Sequence, residues 1–205
     1  IRVGVVLVIH KIGVLCQDRN SFGFLKGLAR RLKCEAELIE PTTGALSKST
    51  FMTARQARLA VLDLQRKGVD LIVRFTDADR NPWQDVRRRE QRTFPQAVQS
   101  VLVCGVAVQN VEDWLALAPS YLGRVLDIPN LESLPPDQRT GAVKRAIARQ
   151  APPTSEVTAR IVADAPTEVF RVWLRSDPMR SFYSECRAAA VRADCAVPNE
   201  LEDGA

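Results

Sequence analysis

Two aspartates close an apolar run near the middle of the chain. The run contains Leu71, Ile72 and Val73, and it ends in Asp77 and Asp79. Such a run suits a strand buried on both faces of a parallel sheet. Residues two apart in an extended segment point to the same side, so both carboxylates can aim at one point beyond the strand. Ligands bind at that edge of open α/β sheets, and paired hard oxygens suit Mg²⁺ or Mn²⁺. A solvated, Asp-rich turn is the alternative.

The elements that would position these aspartates alternate along the first part of the chain. The predicted strands are Arg2–Ile9, Glu35–Glu40, Val69–Phe75 and Val101–Val108. The predicted helices are Asp18–Leu32, Ala54–Lys67, Pro82–Val98 with an interruption near Pro95, and Val111–Ala118. Asp18 or Asn20 can cap the first helix, and Asn110 can cap the last. This order predicts an α/β fold with three layers and a mostly parallel four-stranded sheet.

Proline punctuates the chain after Pro119 and predicts a helical appendage. The predicted helices there are Pro136–Gln150, Ser155–Asp164, Thr167–Leu174 and Pro178–Val191. We therefore predict an α/β domain over residues 1–118, a helical region over 119–197 packed on it, and a flexible tail over 198–205. The appendage carries Phe170, Trp173, Phe182 and Tyr183, which either form part of a protein interface or bury against the sheet.

Composition narrows the classes of protein. Hydrophobic residues make up 46% of the chain, and no apolar run is long enough for a membrane span. The five cysteines are dispersed without C-x-x-C spacing, which argues against a zinc site and favours a reducing cytosol. The start of the chain lacks the pattern of a signal peptide, so we expect a cytoplasmic protein. A single histidine, His10, makes His-rich sites improbable.

The net charge of +5 is unevenly placed. Basic residues follow the aspartate pair directly, and the candidates for nucleic-acid binding are Arg80, Arg87, Arg88 and Arg89. Cations beside a carboxylate pair suit a polyanionic substrate whose phosphates approach acidic ligands. Lys48, in a polar loop, is a further candidate for phosphate contact. An ordinary charged helix face is the alternative interpretation.

The D-x-D strand, the next strand and the segment Gln109–Leu115 together resemble the Toprim-like proteins of the OLD nuclease group. That group includes small stand-alone members found beside ATPase genes, often with bacterial defence systems. Glu112, Trp114 and Leu115 match a Glu-x-Trp-Leu motif of the family. The segment Asp177–Phe182 also resembles a family helix, here without its usual cysteine. The resemblance implies metal ligation by Asp77, Asp79 and Glu112.

The first motif departs from the family pattern. Toprim domains carry Glu at the end of the first strand, followed by an acidic residue that opens the first helix. In this sequence His10 is predicted to occupy the place of that Glu, and Asp18 matches the acidic residue. The resemblance therefore assigns catalytic roles to Glu112, Asp18 and, as a neutral base, His10. We expect His10 and Asp18 on the rim of the cleft that holds the other carboxylates.

Three functions fit these patterns. The first is a Mg²⁺- or Mn²⁺-dependent nuclease subunit that works on nucleic acid with an ATPase partner in defence or DNA processing. The family resemblance implies a neighbouring ATPase, and no Gly-x-x-x-x-Gly-Lys-Ser/Thr loop occurs in this sequence. The second is a catalytically degenerate subunit that binds nucleic acid or a partner. The third is a nucleotide-sugar transferase, against which the Glu112 motif counts. Homo-oligomerisation is left open.

Overall fold

The computed structural model describes residues 9–42, 51–151, 153–193, 195 and 197, and it has the predicted α/β architecture. Four strands form one sheet: β1 (Lys11–Leu15), β2 (Glu37–Ile39), β3 (Leu71–Asp77) and β4 (Leu102–Ala107). Their order is β2-β1-β3-β4, and every neighbouring pair is parallel. Residues 1–8, Lys48 and the predicted tail 198–205 lie outside the described residues.

Most of the first predicted strand, Arg2–Ile9, lies outside the described residues, and Ile9 itself is not in a strand. The strand between β2 and β3 is Lys11–Leu15, which the sequence analysis did not predict. The chain has an apolar run on each side of His10, and periodicity alone does not choose between them. At Gly13 a Cβ would lie 2.7 Å from Leu64 Cδ1, so a larger residue in this strand would require the Leu64 side chain to shift.

Helices cover both faces of the sheet. On one face lies α1 (Arg19–Arg31), which Asp18 caps by accepting a 2.7 Å hydrogen bond from the backbone N–H of Ser21. On the other face lies α2 (Ala54–Arg66), which begins with a capping box of Thr53 and Gln56. Gly68 follows α2 with φ of +70°, a left-handed conformation that suits glycine after a helix. The predicted helices Asp18–Leu32 and Ala54–Lys67 are therefore confirmed within one or two residues.

Except for α5, which the sequence analysis did not predict, the remaining helices overlap the predicted ones. They are α3 (Trp83–Thr93), α4 (Val111–Leu115), α5 (Pro119–Val125), α6 (Pro136–Arg149), α7 (Thr154–Ala163), α8 (Thr167–Trp173) and α9 (Asp177–Arg192). Short 3₁₀ turns occupy Gln96–Val101 and Leu131–Ser133. The helix predicted over Val111–Ala118 stops at Leu115, because proline at 119 begins a new one.

One hydrophobic core joins the sheet to the C-terminal helices. The Phe75 ring of β3 contacts the rings of Phe24, Trp114 and Phe182, with centroids 5.3–5.9 Å apart. Phe170, Trp173, Phe182 and Tyr183 are at most 1% exposed. The prediction that these aromatics form part of a protein interface is therefore wrong. They are buried inside the protein, as in the alternative prediction. The helical region packs on the α/β part instead of standing apart.

The cysteines behave differently from the expectation of free thiols. Cys34, just after α1, forms a disulfide with Cys195, 161 residues later in the chain and just after α9. Cys16, Cys104 and Cys186 are free. The dispersed spacing of the cysteines therefore no longer supports a reducing compartment, and a cytoplasmic location stays a prediction. Among the described helices none is long and apolar enough to cross a membrane.

A buried ion pair lies on the α3 side of the sheet. Arg74 in β3 donates from Nε to Glu90 Oε2 of α3 at 2.7 Å, and both side chains are almost wholly inaccessible to solvent. The guanidinium also reaches the carbonyl oxygen of Leu15, the last residue of β1, at 3.3 Å. The pair therefore ties the end of β1, the middle of β3 and α3 together.

Replacing Glu90→Gln should destabilise the protein strongly. The change leaves the Arg74 charge buried without its counter-ion, a situation that costs about 3–5 kcal/mol. Chemical denaturation gives the free energy of unfolding directly. Asp85→Asn is the matched control, because Asp85 pairs with Arg88 on the exposed face of the same helix, where such pairs contribute about 0–1 kcal/mol. Equal losses in the two variants would contradict this account.

Candidate active site

The carboxyl ends of β1 and β3 form the crevice where open α/β sheets bind ligands. From β1 the chain moves to β2 on one side, and it then returns to β3 on the other side. Such a change of direction leaves a crevice at the carboxyl ends of the two central strands. Leu15 at the end of β1 pairs with Arg74, and β3 runs on to Asp77. Cys16, Gln17 and Asp18 follow β1 at the same edge.

Asp77 is the last residue of β3 and is half-buried at this edge. Burial raises the pKa of its carboxyl to about 7, and the carboxylates of Asp18, Asp79 and Glu112 add to the increase. Lys144 acts in the opposite direction. The predicted carboxylates are thus close enough to repel one another. All three neighbouring carboxylates therefore affect the pKa of Asp77.

Glu112 enters the crevice from α4, the helix that follows β4. Its side chain is buried, and Nδ2 of Asn20 donates a 2.6 Å hydrogen bond to its Oε1. Burial raises the pKa of the Glu112 carboxyl, while the bond from Asn20 opposes the increase. The charge of Asp18 raises this pKa further. The contact joins the start of α1 to α4.

Asp18 and Asn20 stand at the start of α1. Asp18 is exposed and already accepts the capping hydrogen bond from Ser21, so one of its oxygens is committed to the helix. Asn20, which the sequence offered only as an alternative cap, instead contacts Glu112. Its Oδ1 is buried and has no hydrogen-bond partner in the described part of the protein. A buried acceptor without a partner is costly, so this oxygen is suited to a ligand or a water molecule.

Asp79 does not point from an extended strand, contrary to the prediction. β3 ends at Asp77, Ala78 is buried, and Asp79 and Arg80 have φ of +47° and +69°. The left-handed turn breaks the alternation on which the prediction depended. Asp79 is exposed, although its charge still raises the pKa of Asp77. It therefore belongs to the rim of the crevice.

His10 lies at the opposite edge of the sheet. It precedes β1, and its backbone N–H donates to Asp70 Oδ2, just before β3, at 2.9 Å. The prediction that His10 shares a cleft with Asp77 is therefore wrong, because the strand that pairs with β3 starts after His10. The residues that do follow β1 are Cys16 and Gln17. Burial raises the pKa of the Cys16 thiol to about 12, and the Gln17 amide does not ionise. Neither residue therefore supplies a charged base.

The predicted arginine patch is largely engaged in contacts within the protein. Arg87 pairs with Glu185 and donates to Ser181 Oγ, which links α3 to α9. Arg88 pairs with Asp85 one turn earlier. The Arg89 guanidinium stacks on the Phe51 ring, 3.3 Å from its centroid. Arg80 is exposed beside Asp79, at the edge that holds the carboxylates.

Lys144 is the cation that sequence reasoning missed. It is exposed on α6, and its charge lowers the pKa of both Asp77 and Glu112. Thr140, one turn earlier, donates a 2.7 Å hydrogen bond to Asp113 Oδ1 and so holds α6 against α4. No motif in the sequence connects Lys144 with residues 32 or more positions earlier. Only the packing of α6 on α4 brings it to the crevice.

The donor set fits a hydrated divalent ion better than a closed protein cage. Within the described ranges, no group of three or more His, Cys, Asp or Glu side chains is arranged to hold a metal ion. Mg²⁺, however, is commonly bound by one or two carboxylates, with water and phosphate as its other ligands. Asp77 and Glu112 are the carboxylates that could hold such an ion, and the unpartnered Oδ1 of Asn20 could add a further hard oxygen.

Comparison with known proteins gives no family assignment. No model of a protein family matches the chain, and no curated protein and no solved structure matches it either.

In metal-free protein, Asp77→Asn should change how stability depends on pH. The pKa of folded Asp77, about 7, lies above the value of 3.8 for an ordinary Asp. The stability that protonation contributes is therefore fully present below about pH 4 and is lost as pH rises through 7. After allowance for solvent screening, the loss is about 2 kcal/mol. Because Asn cannot ionise, the variant should gain stability relative to wild type over this range.

Urea unfolding in the presence of a chelator, at several pH values, measures that difference. Asp164→Asn, which removes an exposed aspartate outside the site, controls for net charge. A difference between Asp77→Asn and wild type that stays constant from acid to mildly alkaline pH would show that folding does not raise the pKa of Asp77.

Proposed function

We propose that this chain is a Toprim-like, Mg²⁺- or Mn²⁺-dependent phosphoryl-transfer protein, acting as a nuclease subunit on nucleic acid. One observation carries the proposal. Asp77 is a desolvated carboxylate crowded by Asp18 and Glu112 at the carboxyl edge of a parallel sheet. Like charges held together in a partly dry crevice are costly unless a cation neutralises them. Perturbed carboxyl groups in a crevice are also a mark of functional sites.

In this proposal each residue of the crevice has a separate role. Asp77 and Glu112 would hold the ion, with Asn20 Oδ1 as a further oxygen. A bound divalent ion polarises the phosphoryl oxygens and favours a nucleophilic water. Lys144 faces the same carboxylates from α6 and can bind a non-bridging phosphate oxygen, where it offsets the charge that develops in the transition state. Asp18, exposed at the rim, can accept a proton from water.

Nucleic acid is the substrate class that the charge pattern favours. The chain carries a net charge of +5 although its crevice is acidic, so the excess of cations lies elsewhere. Arg80 and Lys144 flank the carboxylates, while Arg88 and Arg89 remain half exposed on α3. Arg87 is committed to α9 and contributes least. A separate ATPase partner is part of the same proposal, because the family resemblance implies a neighbouring ATPase.

Cleavage of single- and double-stranded DNA and RNA in Mg²⁺ or Mn²⁺, with and without a co-encoded ATPase, tests this function. Asp77→Asn and Glu112→Gln should reduce cleavage to background, because each removes a carboxylate that holds the ion. Lys144→Met should slow cleavage by about 10²-fold, the effect of losing one donor to a developing charge. Asp164→Asn should cleave like wild type. Cleavage that persists in a chelator, or in Asp77→Asn, would refute the proposal.

A second function is a catalytically degenerate subunit that binds nucleic acid or a partner without cutting. The observation that favours it is that no Glu stands at or just after the end of β1, where the family resemblance expects one; Gln17, two residues after Leu15, is neutral. If this second function is correct, wild type binds nucleic acid without cleaving it in the same assay. Gln17→Glu, which differs by one charged oxygen, should then create or increase metal-dependent cleavage. An inactive Gln17→Glu variant with intact binding would show that more than this one residue is missing.

A further inference from the structure

A groove beside the carboxylates has no role in the chemistry described so far. It runs between α4 and α6 and encloses about 550 Å³, which lies within the range of small-molecule sites. Its apolar wall contains Val108 and Leu117, which are 44% and 45% exposed and are among the few large hydrophobic side chains left in solvent. Gln109, Pro136, Asp113 and Asp137 also line the groove.

Two connections place the groove next to the crevice. Ala107, the last residue of β4, pairs with Asp77, and Val108 follows it directly. Neighbouring strands lie about 4.8 Å apart, so the groove begins within one or two residue lengths of the Asp77 backbone. On the other wall, Thr140 and Gly141 line the groove. Lys144 lies one turn further along the same helix and faces Asp77 and Glu112.

We propose that this groove receives one unstacked nucleobase of the nucleic acid whose phosphate lies at Asp77 and Lys144. The inference rests on the proposed function and adds a preference for single-stranded or locally opened substrate. A nucleobase is flat, largely apolar on its faces and polar at its edges, which matches apolar walls at Val108, Leu117 and Pro136 with an amide at Gln109. Bases that leave the stack are commonly held in this way.

The charges in the groove argue against a second phosphate as its occupant. Asp113 and Asp137 both line it, and either carboxylate would repel a phosphate. Asp113 is already fixed by hydrogen bonds to the backbone of Asn110 and to Thr140, so it cannot turn away easily. The Arg139 guanidinium, also at the groove, is held by the carbonyl oxygens of Leu134 and Glu132. A neutral group therefore suits the groove better than an anion.

The test measures binding of two labelled probes by fluorescence anisotropy, with Ca²⁺ in place of Mg²⁺ to suppress cleavage. One probe is a short single-stranded oligothymidylate, and the other is an oligonucleotide of the same length that lacks bases. Leu117→Gln should weaken binding of the oligothymidylate about tenfold, because it removes apolar contact with a base, and should leave the abasic probe unchanged. Leu62→Gln is the matched control, since Leu62 is 43% exposed on α2, away from the groove.

The outcomes separate this inference from the function on which it rests. If wild type binds both probes equally and Leu117→Gln has no effect, the inference is overturned, while cleavage that depends on Asp77 still supports the proposed function. Equal weakening of both probes would also overturn it, because the groove would then contact the backbone. If Leu117→Gln weakens binding of a co-encoded ATPase and of neither probe, the groove binds that protein and the inference is overturned. If neither probe binds at low salt, the inference is overturned, while cleavage of duplex substrate that depends on Asp77 would still support the proposed function.

Discussion

The parallel pairing of β1 with β3 is the constraint on which the site depends. Because both strands run the same way, whatever follows each of them lies at one edge of the sheet. Asp18 caps the helix after β1, Asp77 ends β3, and Glu112 comes just after β4, the next strand along. No single segment of the chain makes this cluster. The topology buries Asp77 and brings the other carboxylates near it, and burial first, followed by their repulsion, raises the pKa of Asp77.

Contacts on both faces of the sheet hold these carboxylates together despite their repulsion. Under the crevice, Arg74 joins β1 to β3 through Leu15 and to α3 through Glu90, so the two strand ends cannot separate easily. On the other face, Phe75 packs against rings from α1, α4 and α9. Apolar burial of this kind can offset the unfavourable burial of a few charges, since large side chains each contribute about 1.5–3 kcal/mol. Like charges can therefore be kept together without opening the fold.

Sequence patterns predicted the helices and strands better than they predicted the positions and contacts of the site side chains. Helical spacing and caps located α1, α2 and α4, because those signals are local. β1 was not among the predicted strands, since periodicity alone does not choose between the apolar runs on the two sides of His10. The turn at Asp79 and the ion pairs of Arg87 and Arg88 depend on backbone conformation and neighbours that no spacing records. Asn20 and Lys144 were missed for the same reason, because each becomes part of the site only through helix packing.

The proposed function requires that Asp77 and its neighbours bind a divalent cation. Anomalous scattering from a crystal of the protein soaked in Mn²⁺ can locate such an ion. We expect a Mn²⁺ peak within bonding distance of Asp77 and of Glu112 or Asn20 Oδ1, and no such peak in crystals of Asp77→Asn. A peak at another place, or no peak beside a well-ordered Asp77, would show that these carboxylates do not form a cation site.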